Sequence, residues 1–363
     1  MSVAPDARRA DTLATRIGRL TLANPVMTAS GTSGHGTELA EYGPLGHLGA
    51  VVVKSLCVER WPGNPGPRVH EVGAGMLNSV GLQGPGLAAW VADDLPALHD
   101  AGARVVVSIW GRSVSDYARA AALVAVAASS DAGSCIDALE INVSCPNVED
   151  RSRIFAHSAD ATARVLEATA CGLPRWAKLS PNVPDLVEIA TGALEGGADG
   201  LTLVNTLLGL ALDTESGRPF LGAGGGGLSG AAVHPVAVRG VWECRVAFPE
   251  LPIVGVGGVF SGRDAVELLL AGADAVQVGT ATFRDPRAPW KVLRQLAKWC
   301  DAHSTSVAEI RQRVRSRVGG GAAGGAKVAV DHDAHDHADD HDHDHDGAPG
   351  AAVPLLNEGG RDG

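Results

Sequence analysis

The chain has 363 residues, 45% of them hydrophobic and 20% charged, with 47 glycines, seven tryptophans, two tyrosines and five phenylalanines. That is apolar material enough for one large core or two ordinary ones, and it excludes a disordered, collagenous or disulfide-scaffolded chain. The net charge of −11 is concentrated at the end: residues 331–363 hold ten acidic side chains and one basic, leaving the rest near neutral and without the clustered basic face that nucleic-acid binding requires.

The first twenty residues (MSVAPDARRADTLATRIGRL) contain no apolar signal-peptide core. The longest unbroken apolar stretch, residues 120–128, falls far short of the ~20 residues of a membrane helix, so a cytoplasmic protein without a membrane partner is expected. Eight short apolar or β-branched runs then alternate with helical stretches: 25–30 (PVMTAS), 50–54 (AVVVK), 104–108 (RVVVS), 138–144 (ALEINVS), 176–180 (WAKLS), 200–205 (GLTLVN), 253–257 (IVGVG) and 275–279 (AVQVG). Near-continuous hydrophobicity marks parallel strands buried on both faces. Helices are predicted at 115–128, 160–170, 185–194 and 262–271, with Asp185 and Ser261 as N-caps. Eight such units in about 300 residues predict an α/β fold of the closed (β/α)8 TIM-barrel type over residues 1–316. The glycine/alanine stretch 319–325 and the run 331–346, built only of Asp, His and Ala, predict a disordered tail over 317–363. Its interleaved imidazoles and carboxylates could take up Zn²⁺, Ni²⁺ or Cu²⁺.

A barrel builds its active site at the C-terminal ends of its strands. Ser30, Lys54, Ser108, Asn142, Lys178 and Asn205 all close predicted strands, and the last two strands end in Gly257-Gly258 and Gly279-Thr280. Glycines there let backbone N–H groups approach an anion, which points to a phosphate-bearing cofactor. The string 222–227 (GAGGGG) matches a dinucleotide fingerprint only formally, since no strand immediately precedes it; a flexible cover closing at Ser229-Gly230 is the reading adopted. Lys54 and Lys178, in apolar surroundings, must each face an anion: a substrate carboxylate, a phosphate, or a flavin ring. Asn78, Asn142, Asn147 and Asn205 suit a planar imide or amide ring. The six cysteines show no CxxC, so no zinc or iron–sulfur site is encoded by spacing, whereas Cys145, at the mouth of the predicted barrel near the lysines, is a candidate general base.

Three motifs, Asn-Val-Ser-Cys-Pro-Asn at 142–147, Gly-Asn-Pro-Gly-Pro-Arg at 63–68 and Asn-Ser-Val-Gly-Leu-Gln-Gly-Pro-Gly at 78–86, together with Val-Gly-Gly-Val at 256–259 and Gln-Val-Gly-Thr at 277–280, resemble class 1 dihydroorotate dehydrogenases, most closely the NAD-linked type B. The resemblance runs from about Leu22 to Cys300 and implies an FMN barrel that oxidises dihydroorotate to orotate in pyrimidine biosynthesis. Carried over by motif, Cys145 would remove the C5 proton while hydride leaves C6 for flavin N5. The cysteine also separates this chain from the quinone-using class 2 enzymes, whose base is serine. Lys54 would lie between substrate and flavin, and Lys178 would stabilise the reduced flavin.

Substrate contacts implied by the resemblance are Lys54, Asn78, Ser79, Val80, Gly81, Leu82, Asn142, Asn147, Asn205 and Thr206. Flavin contacts are Ser30, Lys54, Ser55, Ser108, Asn142, Lys178, Val204, Gly230, Gly257, Gly258, Gly279 and Thr280. Two departures stand out: Ser108 occupies a position where the family often has asparagine, and residues 148–153 (VEDRSR) replace a glycine-rich lid with a charged one. Type B relatives imply a central homodimer and a partner subunit carrying FAD and a [2Fe–2S] cluster for NAD. Two alternatives remain: a flavin enzyme of the dihydropyrimidine dehydrogenase kind acting on another ring, and a metal-binding or scaffold protein working through its His/Asp tail.

Overall fold

A computed structural model describes residues 12–144, 146–147 and 153–320. The eight apolar runs form the parallel strands β1 (Val26–Thr28), β2 (Val51–Val52), β3 (Val105–Ile109), β4 (Ile136–Asn142), β5 (Arg175–Leu179), β6 (Gly200–Leu203), β7 (Ile253–Val256) and β8 (Ala275–Val278). They pair in the order β1-β8-β7-β6-β5-β4-β3-β2. The ring closes through a parallel bridge between Met27 and Ala50 and the bond from Val52 N to Thr28 Oγ1 at 2.9 Å. The fold is the (β/α)8 barrel that the strand count predicts.

Helices α1 (Leu87–Asp100), α2 (Val114–Ala128), α3 (Ala159–Ala168), α4 (Leu186–Glu195), α5 (His234–Ala247), α6 (Gly262–Ala271), α7 (Ala281–Arg284), α8 (Ala288–Ala302) and α9 (Val307–Gly320) complete the unit. Their ends are chemically marked. Asp185 caps α4 by accepting from the N–H groups of Val187 and Glu188, and Ser261 caps α6 in a reciprocal box with Asp264. Gly272 ends α6 in the left-handed region, at φ 118°. Among the described residues, no helix is long and apolar enough to cross a membrane. The chain divides into units of residues 1–323 and 324–363, and α9 runs across the division expected at 316/317. The His/Asp run at 331–346 lies outside the described residues.

The barrel interior is layered. At the N-terminal end an antiparallel hairpin, Thr15–Ile17 with Leu20–Leu22, plugs the cylinder. Its Ile17 and Leu22 pack with Met27, Val52, Val106, Ala138, Trp176, Val254 and Ala275 in one apolar cluster. Two residues further along the strands, on the same inward phase, the layer turns polar: Ser108, Glu140, Lys178 and Gln277 are all buried. The apolar floor thus gives way, within one pleat repeat, to chemistry facing the opposite end.

The end of the glycine-rich 222–227 segment departs from expectation. Gly226–Ser229 is a strand inside a four-stranded antiparallel sheet, between Leu207–Gly209 and Gly75–Asn78, with Val69–Val72 at the far edge. Glycine is required by close approach: a Cβ on Gly227 would lie 2.1 Å from Thr206 Oγ1, and one on Gly226 2.5 Å from the Asn78 carbonyl oxygen. This small sheet is a wall of the site rather than a floppy cover.

Candidate active site

A cavity of about 690 Å³ opens at the C-terminal end of the barrel, between the strand ends and the small sheet. It gathers nearly all the residues singled out from the sequence. Ser30, Lys54, Ser55, Asn142 and Lys178 line it from strands β1, β2, β4 and β5 or just beyond them. Val204, Asn205 and Thr206 follow β6, while Gly230, Gly257, Gly258, Gly279 and Thr280 close the end beyond β7 and β8. The segment Asn78, Ser79, Val80, Gly81 and Leu82 covers another side.

Three candidates stand apart. Ser108 is fully buried and does not line the cavity; its Oγ pairs with Ser55 Oγ at 2.9 Å, so any effect on a bound ring passes through Ser55. The shorter serine side chain, where the family often carries asparagine, stops beneath the wall. Cys145 lies outside the described residues, as do 148–152 of the charged lid, and the side chain of Asn147 is likewise outside them.

The polar wall is internally wired. Asn142 Nδ2 donates to Ser55 Oγ at 3.2 Å, and its Oδ1 accepts from Asn205 Nδ2 and from Ser144 N, each at 3.2 Å. The Asn142 carbonyl accepts from the buried Tyr117 hydroxyl at 2.6 Å, which ties the end of β4 to α2. Asn205 Oδ1 accepts from Thr206 N at 2.8 Å, and Thr206 O accepts from Asn182 Nδ2 at 2.9 Å. Asn182 and Ser180 line the cavity too, although no sequence motif singled them out. Asn64, from the Gly-Asn-Pro-Gly-Pro-Arg motif, donates through Nδ2 to Ser79 O at 3.1 Å and pins the covering loop. In that loop Leu82 holds φ at 60°, a left-handed conformation that costs a non-glycine residue on the order of 1–2 kcal/mol.

The two lysines differ. Lys178 Nζ donates to Ser30 Oγ at 2.9 Å and ion-pairs with Glu140 Oε1 at 3.4 Å, while Glu140 Oε2 accepts from Gln277 Nε2 at 2.7 Å. The sequence argument that each lysine must face a ligand anion is therefore corrected for Lys178, whose anion belongs to the chain itself. The clue was a glutamate in the middle of an apolar strand. The pKa of Lys54 is held below the ordinary lysine value, first by burial and then by the nearby Arg68 charge. A bound carboxylate would restore the solvation it lacks.

Among the described residues that line the cavity, these two lysines are the only titratable side chains. None of the five described cysteines lines it. Burial comes first in pushing the thiols of Cys57 and Cys300 up to about 11 and that of Cys244 up to about 12.

The glycine end is suited to a phosphate. Gly257 and Gly258 have φ of 138° and 65°, and a Cβ on Gly258 would lie 2.6 Å from His234 Cβ at the start of α5. His234 Nδ1 is paired with the Gly257 carbonyl at 2.8 Å, and Thr280 Oγ1 donates to Ser229 Oγ at 2.7 Å. Backbone, rather than side chain, forms this end, as an anion cradle requires. Gly258→Ala is expected to weaken retention of an FMN-type cofactor about tenfold or more, since the added Cβ, 2.6 Å from His234 Cβ and 3.0 Å from Gly230 O, forces the cradle backbone to shift. Fluorescence of released flavin on dilution measures it.

Comparison with known proteins agrees with this geometry. Residues 12–299 match the family described as dihydroorotate dehydrogenase. The chain is 48% identical over 288 residues to the dihydroorotate dehydrogenase B (NAD(+)) catalytic subunit of Desulforudis audaxviator, covering 79% of this chain and 92% of the relative. It is 44% identical over 290 residues to the protein of the same name from Alkaliphilus oremlandii, with 79% and 93% covered. The corresponding figures for Bacteroides thetaiotaomicron are 41% over 301 residues, with 82% and 97% covered. With a family match across its whole barrel and relatives aligned over nearly their full length, the chain belongs to the dihydroorotate dehydrogenase family.

Proposed function

We propose that the chain is the FMN-bearing catalytic subunit of an NAD-linked dihydroorotate dehydrogenase, oxidising (S)-dihydroorotate to orotate in pyrimidine biosynthesis. The observation that carries this reading is the convergence, on one cavity, of Lys54, Asn142, Asn205 and the covering loop 78–82. Lys54, short of solvation, binds the substrate carboxylate; Asn78, Asn142, Asn205 and Thr206 offer the paired donors and acceptors that a cyclic imide needs. Hydrogen bonds among Asn142, Asn205 and Thr206, and from Asn78 Nδ2 to Gly227 O, fix them before substrate arrives, which lowers the ordering cost of binding.

The residues present fit FMN: a backbone cradle at Gly257, Gly258, Gly279 and Thr280, and polar contacts from Ser30, Ser55, Asn142 and Lys178 at the other end. When bound, FMN supplies the two-electron acceptor for the C6–H of the substrate. Cys145 takes the proton from C5, and the covering loop keeps water from the reacting ring.

We extend the relatives' name to a separate electron-transfer subunit that passes electrons to NAD⁺. A homodimer at the centre and a cytoplasmic location complete the reading. No role is assigned to the His/Asp tail.

Anaerobic mixing with dihydroorotate and, separately, dihydrouracil tests it. The purified yellow protein should bleach with dihydroorotate and not with dihydrouracil, because only dihydroorotate presents a carboxylate to Lys54. A colourless protein that takes up no FMN, or equal bleaching by both rings, would overturn the assignment.

A further inference from the structure

Glu140 has no part in the proposed reaction, yet it places a carboxylate in the buried interior of the barrel. It sits in mid-strand with its side chain wholly inaccessible, against Lys178 whose side chain is 8% exposed. Removing both charges from water costs several kcal/mol per ion, and an apolar pair of similar volume would commonly be as stable or more so. Stability therefore does not account for the pair.

Its geometry points elsewhere. One carboxylate oxygen faces Lys178 Nζ at 3.4 Å, and the other accepts from Gln277 Nε2 at 2.7 Å, so both oxygens meet donors, as suits the ionised form. Lys178 Nζ also donates at 2.9 Å to Ser30 Oγ, on the cavity wall. The ammonium is thus held between Glu140 below and the cavity above. In a low-dielectric interior an unpaired ammonium would act on any bound ring over a long range, whereas an ion pair acts only over a short one.

We propose that Glu140 is a positioning residue of this site: it holds the Lys178 ammonium against Ser30 and cancels most of its charge, so that the ring-binding end of the cavity presents a directed hydrogen-bond donor with little net positive field. The inference rests on the FMN reading given above. Charge near a flavin ring tunes its electronics, so Glu140 sets how readily the bound cofactor accepts electrons.

The test is the two-electron midpoint potential of bound FMN, measured by dye equilibration in wild type, Glu140→Gln and Glu140→Asp. Glu140→Gln leaves Lys178 uncancelled and should favour the reduced over the oxidised cofactor at least tenfold, an upward shift of about 30 mV. Glu140→Asp keeps the charge and should lie closer to wild type. An unchanged potential in Glu140→Gln makes Glu140 merely structural; a downward shift means that the carboxylate does not cancel a positive field at the ring. Either result overturns the proposal.

If Glu140→Gln does not fold, Lys178→Gln is compared with the double variant Lys178→Gln/Glu140→Gln. The surviving carboxylate should then disfavour the reduced cofactor at least tenfold relative to the double variant, and equal potentials would overturn the proposal. A wild-type protein that binds no FMN fails the functional reading itself, so the two failures are distinguishable.

Discussion

Cys145→Ala should give a protein that still binds FMN but is reduced by dihydroorotate about 10²–10⁴ times more slowly at neutral pH, the usual range for removing a general base. The carbon acid at C5 needs a proton acceptor, and the described cavity wall offers no histidine or carboxylate, only Lys54 and Lys178. Lys178 is committed to Glu140 and Ser30. The remaining described thiols cannot substitute, because they lie off the cavity, and those of Cys57, Cys244 and Cys300 are raised to about 11, 12 and 11. Because the base acts deprotonated, the rate should rise with pH up to the base's pKa, and in Cys145→Ser that rise should move to higher pH. Stopped-flow bleaching under anaerobic conditions measures both. Wild-type rates in Cys145→Ala would instead point to Lys54, whose pKa burial holds below the ordinary lysine value.

Arg245→Met is expected to destabilise the barrel by about 3–5 kcal/mol, the range for removing one partner of a buried ion pair. Arg245 is 1% exposed. Its guanidinium donates from Nε and Nη2 to Gly272 O at 2.9 and 2.8 Å, from Nη1 to Pro249 O at 2.7 Å, and from Nη2 to Asp274 Oδ2 at 3.1 Å. One side chain thereby ties the end of α5 to the turns leading into β7 and β8. Methionine fills much of the volume and satisfies none of these acceptors, so each buried carbonyl retains its desolvation cost. Asp274 keeps Arg311 and Arg315 as partners, which limits the loss on the carboxylate side. Urea denaturation followed by circular dichroism reads the change, and a loss below about 1 kcal/mol would mean that these carbonyls find water instead. Since Gly257, Gly258 and Gly279 follow the same two strands, flavin release should accompany the transition.

Much of the site was legible in the chain because its logic is local. A parallel strand enclosed on both faces must be apolar along its length, so the eight runs could be counted. Loops follow strand ends, so Ser30, Lys54, Asn142, Lys178 and Asn205 could be placed at one mouth of a barrel from their positions alone. Asp185 and Ser261 announced their helices by the same short-range chemistry. The wall residues Ser180 and Asn182 were not legible, because nothing beside them in the chain distinguishes a cavity serine or asparagine from one in an ordinary loop.

By itself, then, the sequence determined the eightfold strand–helix order, the end of the cylinder that carries chemistry, and the motifs of a dihydroorotate dehydrogenase. Only the tertiary structure decided that Lys178 has Glu140 as its counter-ion, that Gln277 holds that carboxylate from 137 residues away, that Ser108 stops beneath Ser55, and that the last two glycines of the run, Gly226 and Gly227, belong to a strand against Asn78. The physical reason is range. Burial pattern and capping are set by neighbours within a turn or a pleat, whereas an ion pair or a glycine's close contact is set by whichever distant strand the closed ring brings alongside.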